Sequence, residues 1–196
     1  MPLAGRYAKE TVSGAWAFSE QNLRELLDRQ SGTSQLTQFR DLIVAVEYIH
    51  EKGVIHRDLK PQNVLVYWDN NQPNVRLSDF GHGRLIVRDT TRLTGSRHRI
   101  GTLLYMAPEQ HTDPGDETIQ CDIYALGLLL YEILTGRSPS PSIEWTGVPE
   151  EFREVVTKAT RRNPSNRFES ATEFRCAFEA CRPLRSLRAL KSPRRE

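Results

Sequence analysis

The chain has 196 residues, of which 38% are hydrophobic and 27% are charged, and this composition suits one globular domain with a sizeable core rather than a disordered or fibrous chain. No apolar run reaches the roughly 18 residues of a membrane span, and the first residues lack the apolar centre of a signal peptide, so we expect a cytoplasmic protein without a membrane span. The odd number of cysteines and their lack of metal-ligand spacing favour reduced thiols at Cys121, Cys176 and Cys181.

The net charge of +2 is unevenly distributed along the chain. Residues 182–196 hold five Arg and one Lys against one Glu, a net charge of +5, which leaves −3 for residues 1–181. This basic tail could contact nucleic acid, acidic lipid or an acidic partner, but a solvated, frayed terminus is the simpler interpretation. The tail has no aromatic residue for base stacking, so a nucleic-acid partner is disfavoured.

The first part of the chain gives weak patterns. Residues 1–19 show no firm periodicity, although 14–18 could form a short strand followed by a connecting segment before residues 19–22. Leu23, Leu26 and Leu27, with charges between them, predict a short amphipathic helix that ends near Gly32.

Residues 35–52 carry the clearest helical pattern in the chain. Apolar side chains recur there every three or four positions, at Leu36, Phe39, Leu42, Ile43, Val46 and Ile49. Ser34 is a candidate N-cap, and Gly53 stands just past the expected end. We therefore predict a buried central helix over this range.

A charged loop follows this helix, between the β-branched pair Val54-Ile55 and the apolar run 64–67. It contains Asp58, Lys60 and Asn63, which can supply a proton acceptor, a phosphate-binding cation and a metal ligand within one short segment. The pattern predicts a strand, a catalytic loop and a second strand.

A hairpin is expected next, with strands at 64–67 and 75–77 joined by a polar turn. Directly after it, Asp79 places a carboxylate at the end of a strand, 21 residues after Asp58. Gly81 lies nearby and would allow an unusual backbone angle.

These segments resemble the motifs of protein kinases. His56-Arg57-Asp58-Leu59-Lys60-Pro61-Gln62-Asn63 resembles the kinase catalytic loop, Asp79-Phe80-Gly81 the magnesium-binding motif, and 101–109 the end of the activation segment. Lys60 and the Gly101-Thr102 pair are typical of the serine/threonine-specific branch. The resemblance covers roughly residues 20–181 and implies the large lobe of a eukaryotic-like serine/threonine kinase. That lobe is mainly α-helical (α+β), with a small β-hairpin bearing the two loops.

The resemblance also implies roles and ligands for individual residues. Asp58 would be the base or orienter of the substrate hydroxyl, a protein Ser or Thr, and Lys60 would lie near the transferring phosphate. Asn63 and Asp79 would bind Mg²⁺, and Leu65 would form the floor of the adenine site for ATP. Thr102 would hydrogen-bond within the catalytic loop.

Regulation would involve residues 82–100, which resemble an activation loop and hold five Arg against one Asp. If one of the hydroxyl residues of this loop were phosphorylated, Arg57 would receive the phosphate. The candidates are Thr90, Thr91, Thr94 and Ser96. A simple surface loop is the alternative interpretation for 88–99.

The C-terminal half is predicted to be helical at 119–134, about 150–161 and 171–181, with a short linker at 137–148 where most kinases have an extra helix and loop. Asp122 stands at the start of the first of these helices and needs N–H partners if it is buried. In kinases the corresponding Asp braces the catalytic loop. The resemblance also implies an ion pair between Arg167 and Glu109, against the alternative of an exposed Arg.

The small lobe of kinases has no counterpart in residues 1–19, which would lie near the interlobe hinge and contain no Gly-x-Gly-x-x-Gly. Two hypotheses follow. The first is a serine/threonine kinase whose small lobe was truncated, is encoded separately or comes from a partner such as another kinase. The second is a non-catalytic, kinase-like binding module that docks on kinases or on their substrates.

Overall fold

Five helices and five short strands are formed by the residues that the computed structural model describes, which are 21–23, 33–69, 72–80, 84–85, 104–112, 118–139 and 143–181. The helices are α1 Thr33–Glu51, α2 Pro108–Thr112, α3 Ile119–Thr135, α4 Glu150–Ala159 and α5 Ala171–Ala180. The strands are β1 Gln21–Asn22, β2 Val54–Ile55, β3 Val64–Asp69, β4 Gln72–Leu77 and β5 Arg84–Leu85.

Helix α1 forms where the apolar spacing predicts it. Phe39, Leu42, Ile43 and Val46 are all fully buried along one side of the helix. The prediction of Ser34 as N-cap is wrong, because the helix already begins at Thr33 and Ser34 lies inside its first turn. The periodicity of apolar residues fixes which side of a helix is buried, but it does not fix the terminal residue. The predicted end is confirmed, since Gly53 has a φ of 72° and donates its N–H to His50 O at 2.9 Å.

The strands make two small antiparallel sheets. In the first sheet the order is β1-β3-β4, with Leu65 opposite Asn22 on one side and Arg76 on the other. In the second sheet β2 pairs with β5. The β3–β4 hairpin was predicted, whereas β1 was not, because its two residues follow no periodic pattern.

Helix α3 lies at the centre of the fold and is buried around most of its circumference. It ends at Gly136, which has a left-handed φ of 67°. Gly127 lets this helix approach α4 closely, since a Cβ at this position would lie 2.6 Å from Ala159 Cβ. The catalytic loop packs against this buried helix.

Helix α5 closes the core against α1 through an aromatic cluster. The Phe39 and Phe178 rings meet edge to face with centroids 5.2 Å apart, and Phe168 meets Phe174 in the same way. Along the rim, Glu47 accepts hydrogen bonds from Arg175 at 3.0 and 3.2 Å. Helices from the two ends of the domain are thereby joined.

The fold class that we predicted is confirmed, because the described residues form a mainly helical domain with a small hairpin. The predictions that fall outside the described residues include the strand at 14–18, the helical positions Leu26 and Leu27, and the basic tail at 182–196. Among the helices in the described ranges, none is both long enough and apolar enough to cross a membrane. All three cysteines are free thiols in the structure, and Cys121 and Cys181 are buried.

Candidate active site

The loop 56–63 is suspended between β2 and β3, as the sequence predicts. Its last three residues, Pro61–Asn63, form one 3₁₀ turn. Pro61 occupies the first position, where its fixed φ already has the value that the turn requires. Val64 then enters β3 and is fully buried. The loop therefore has both ends fixed in the sheets and the core.

Three side chains that were predicted to act together converge in this loop. Lys60 Nζ donates to Asp58 Oδ2 at 2.6 Å, and Asn63 Nδ2 donates to the same oxygen at 3.0 Å. Asn63 Nδ2 also donates to the Asp58 backbone O at 2.8 Å. Asp58 is only 7% exposed, so these contacts hold a nearly buried carboxylate in one orientation.

Asp79 lies at the same end of the hairpin as Asn63. Val64 faces Leu77 in the β3–β4 register, and Ser78 extends this pairing by donating its N–H to Asn63 O at 2.9 Å. The residue after Ser78 is therefore placed next to the catalytic loop. Its side chain is exposed at this position.

The unusual backbone angle at this motif belongs to Asp79 itself, whose φ is 60°. We expected Gly81 to supply it, but Gly81 is outside the described residues. Asp enters the left-handed region more readily than most residues because its short side chain hydrogen-bonds locally. The conformation still costs about 1–2 kcal/mol, which the surrounding hairpin must offset.

Asp122 braces the catalytic loop from below, as the resemblance implies. Its Oδ1 accepts the Arg57 N–H at 2.8 Å, and its Oδ2 accepts the His56 N–H at 2.9 Å. His50 Nε2, on α1, lies 2.8 Å from the same Oδ2. The Asp122 side chain has 0% exposure, so one buried carboxylate joins α1, α3 and the loop.

This brace holds a strained residue. Arg57 has a φ of 70°, which costs a residue with a Cβ about 1–2 kcal/mol. Its N–H is held by Asp122, and its carbonyl accepts from Gln110 Nε2 at 2.9 Å. Strain of this kind persists only where the surrounding structure over-determines it, and here both polar backbone groups of the strained residue are anchored.

His56 lies under the loop as a neutral ring. Burial lowers the pKa of its imidazole, and this effect outweighs the nearby Asp122 carboxylate. Its Nε2 lies 3.0 Å from Ser78 O, and its Nδ1 accepts the Asp58 N–H at 3.4 Å, an arrangement that suits the neutral form protonated on Nε2. The ring also contacts Phe80, with centroids 4.9 Å apart, so one side chain links both motif loops.

The predicted pair of Arg167 and Glu109 is present, and the alternative of an exposed Arg is excluded. Arg167 donates to both carboxylate oxygens of Glu109, at 2.6 and 2.8 Å, and its side chain has 0% exposure. The remaining N–H groups donate to the backbone oxygens of Arg161, Gln120 and Arg162. This pair ties the start of α2 to the segment between α4 and α5.

Other predicted site residues lie at the margin or beyond the described part of the chain. Leu65 is half-buried on β3, two residues after Asn63. Thr102 and the activation-loop candidates Thr90, Thr91, Thr94 and Ser96 are outside the described residues.

Three buried contacts near the site were not predicted from the sequence. They are the approach of His50 to Asp122, the two hydrogen bonds of the Gln110 side chain, and the hydrogen bond from Tyr105 to the buried Glu132. A polar residue on the last turn of a buried helix was a usable signal for His50. The other two had no signal, because the bonds from Gln110 to Arg57 and from Tyr105 to Glu132 each join residues far apart in the chain.

Comparison with known proteins gives a consistent result. The family model described as "Protein kinase domain" matches residues 17–181. The serine/threonine-protein kinase PknB of Mycobacterium leprae is 36% identical over an alignment of 155 residues that covers 69% of this chain and 24% of PknB. PrkC of Bacillus subtilis is 31% identical over an alignment of 170 residues that covers 75% of this chain and 25% of PrkC. The chain thus spans about a quarter of the length of these relatives.

The fold is also similar to a solved structure. The kinase domain of Mycobacterium tuberculosis PknI superposes with a TM-score of 0.63 over 83% of this chain and 63% of that chain. The sequence identity is 22%, so this comparison supports the fold alone.

Proposed function

This chain belongs to the protein kinase family and is by lineage a serine/threonine kinase, and on that premise we propose that it transfers a phosphoryl group from ATP to Ser or Thr hydroxyls of a protein. The observation that carries the proposal is the convergence of Lys60 and Asn63 on the Asp58 carboxylate. Phosphoryl transfer needs little covalent work from the protein, so positioned charges supply most of the rate.

Asp58 is the residue that we assign to the substrate hydroxyl. Its carboxylate orients that hydroxyl and accepts its proton as the transfer proceeds. Because Lys60 and Asn63 both bind Oδ2, the carboxylate cannot rotate freely, and this supports a fixed acceptor position for the proton. Lys60 adds a positive charge close to the group being transferred.

Asn63 and Asp79 suit a magnesium ion by the chemistry of their oxygens. The Asn63 Nδ2 group donates to Asp58 twice, which leaves Oδ1 as the metal-binding end of the amide. Asp79 adds an exposed carboxylate at the adjacent end of the hairpin, and carboxylate and amide oxygens are the donors that Mg²⁺ prefers. When bound, ATP would supply the phosphoryl group and the Mg²⁺ ion would neutralise its charge.

The remaining roles are proposed on the same premise. Leu65 forms the floor of the adenine site, and Thr102 supports the catalytic loop. Arg57 receives the phosphate of a modified residue in 82–100. The substrate is proposed only as a class, a protein with Ser or Thr, because the chain spans about a quarter of its curated relatives.

We further propose that transfer requires a small β-rich lobe supplied by another polypeptide segment or by a partner. Asp58, Lys60, Asn63 and Asp79 all lie in the described helical lobe. Kinases cover the phosphates from the other side with a Gly-rich loop and a strand Lys. The Asp79 carboxylate and the Phe80 ring, which is 44% exposed, face out of the described part of the molecule and are available to such a lobe.

The test is a transfer assay with Mg²⁺ and radiolabelled ATP, with and without an added kinase small lobe, and with Asp58→Asn as the matched control. We expect label on protein Ser or Thr that falls about a hundredfold or more in the control, since a positioned acid–base group contributes about 10²–10⁴ in rate. Label that is equal in both proteins would overturn the assignment of Asp58. The absence of both label and any nucleotide-induced thermal shift would favour the binding-module hypothesis instead.

A further inference from the structure

Gln110 on α2 uses both ends of its side-chain amide in contacts with backbone. Its Oε1 accepts the Ala107 N–H at 3.0 Å, and its Nε2 donates to Arg57 O at 2.9 Å. Arg57 lies 53 positions earlier in the chain, so this one side chain joins the start of α2 to the catalytic loop. The contact needs an acceptor at one end and a donor at the other, which a neutral amide provides.

The hydrogen bond from Gln110 Nε2 is made to the peptide group between Arg57 and Asp58. That peptide has two polar atoms, Arg57 O and Asp58 N. Among the described residues, the N–H of Asp58 contacts His56 Nδ1 at the long distance of 3.4 Å, whereas Arg57 O accepts the shorter bond from Gln110 Nε2 at 2.9 Å. Of these two restraints on the orientation of the peptide, the Gln110 side chain is the closer.

Asp122 cannot replace this restraint. It binds Arg57 N, on the other side of the strained Cα, and so fixes the preceding peptide. With φ at 70°, the backbone of Arg57 is held in the left-handed region by Asp122 before the Cα and by Gln110 after it. Release of either contact lets the residue relax toward a common backbone angle, and Asp58 moves with it.

We infer that Gln110 is a positioning residue for Asp58: it couples the segment that ends at Ala107 to the orientation of the catalytic carboxylate. As far as it concerns turnover, this inference rests on the proposed kinase function. The geometric coupling of α2 to the loop stands independently of that function.

The test replaces Gln110 with Glu, which can imitate the amide only when protonated. At pH 8 the ionised carboxylate has no hydrogen to donate and faces the Arg57 carbonyl. Partial burial against the Arg57 carbonyl raises the pKa of this carboxyl above its ordinary value of about 4.3, so at pH 5.5 a larger share is in the acid form, which again offers one O–H donor and one C=O acceptor. The titratable groups that line the same cleft or flank Gln110 are Arg57, Asp58, Tyr105, Cys121, Asp122, Glu109 and His111, and wild-type protein measured at each pH corrects for them.

In the transfer assay, with the small lobe present, we expect the kcat of Gln110→Glu to fall about tenfold or more below wild type at pH 8 and to recover to within about threefold at pH 5.5. The KM for ATP should stay within about twofold, because Gln110 touches neither Asn63 nor Asp79. A kcat of Gln110→Glu that stays within about twofold of wild type at pH 8 would overturn the inference.

Gln120→Glu is the matched control. Gln120 is also half-buried, and its Nε2 makes one long contact of 3.4 Å to Glu169 O, away from the loop. The chemical change is the same, but no contact to the catalytic loop is lost. Its kcat ratio to wild type should stay near unity at both pH values.

Amide hydrogen exchange tests the coupling without any turnover. In Gln110→Met the amides of Ala107 and Asp58 should exchange about tenfold faster, while amides in the middle of α3 keep their wild-type rates. Faster exchange throughout the molecule, or no change at these two amides, would contradict a positioning role. If wild-type protein transfers no label, the proposed function fails while this measurement still decides the inference. If Gln110→Met does not fold, exchange in Gln110→Glu at the two pH values replaces it.

Discussion

The two sides of the catalytic loop differ in how they are held. The side that faces α3 is fixed by buried polar groups, with Asp122 at 0% and His56 at 0% exposure. On the opposite side, Asp79 is exposed and Phe80 is 44% exposed. The same loop is therefore held by several buried contacts on the side of the helices. It is open on the side to which we assign ATP and Mg²⁺, the nucleotide side.

The side of the loop toward α3 therefore determines the stability of the lobe, and the open side determines how it responds to ligands. On the helical side, removal of a polar group leaves a buried partner unsatisfied, which costs far more than the bond contributed. On the open side, water can form the hydrogen bonds of any polar side chain that is removed. Substitutions on the first side should therefore unfold the lobe, and those on the second should change only ligand responses.

The largest effect is expected for Asp122→Asn. The amide keeps the volume of the side chain but turns one acceptor into an N–H donor, in a place where two backbone N–H groups and His50 need acceptors. We expect the free energy of unfolding in urea to fall by about 3–5 kcal/mol. Glu144→Gln, in an exposed pair, should change it by less than about 0.5 kcal/mol. Similar losses for the two variants would remove the distinction between the sides.

A slightly smaller loss is expected for Arg167→Ala, about 2–4 kcal/mol, because Glu109 loses its partner and three backbone carbonyls lose a donor. Arg137→Ala is the control, since Arg137 is 57% exposed and pairs with the exposed Glu144. It should cost less than about 0.5 kcal/mol in the same unfolding experiment. A loss below about 1 kcal/mol for Arg167→Ala would mean that burial adds nothing to this pair.

A pH effect on stability should come from His56, whose pKa is lowered by burial. Between its ordinary pKa, about 6.5, and its lower folded value, the unfolded chain binds a proton that the folded chain does not. Stability from this group is therefore complete above about pH 6.5 and is lost as the pH falls through this window. His56→Gln should show a shallower decline below pH 6.5 in thermal unfolding. Identical slopes would show that the other histidines account for the decline.

The smallest change in stability is expected on the open side. Asp79→Asn keeps a residue type that tolerates a φ of 60°, and the side chain is exposed, so unfolding should shift by less than about 0.5 kcal/mol. The Mg²⁺-dependent thermal shift with ATP should nevertheless disappear. A variant that unfolds easily, or one that keeps the shift, would contradict the assignment of this side to the metal.

Much of the fold could be predicted from the sequence because the strongest patterns are long. Six apolar positions along α1 and the apolar stretch of α3 specify buried helices, and the motifs at 56–63 and 79–81 follow each other at the distance that a hairpin allows. The resemblance to kinases also implied the hydrogen bonds from the catalytic loop to Asp122 and the pair between Arg167 and Glu109. These contacts lie far apart in the chain, and only the resemblance could supply them.

The rest could not be predicted for physical reasons. Strand β1 has two residues, which is too short for any alternation. Two described residues other than glycine, Arg57 and Asp79, have a positive φ, which tertiary contacts impose although local preference gives this angle to glycine. The Gln110 contacts depend on how α2 approaches the loop, and a glutamine in a short surface helix gives no sign of this in the sequence.

The central claim is that the helical lobe by itself holds the catalytic loop in place, and it is tested most directly by amide hydrogen exchange of His56 and Arg57 without nucleotide. Both N–H groups donate to the buried Asp122. We predict that they exchange about a thousandfold or more slowly than in an unstructured peptide, close to amides in the middle of α3. Exchange at the rate of an unstructured peptide would show that the loop is ordered only when the nucleotide side is completed, and would contradict the account.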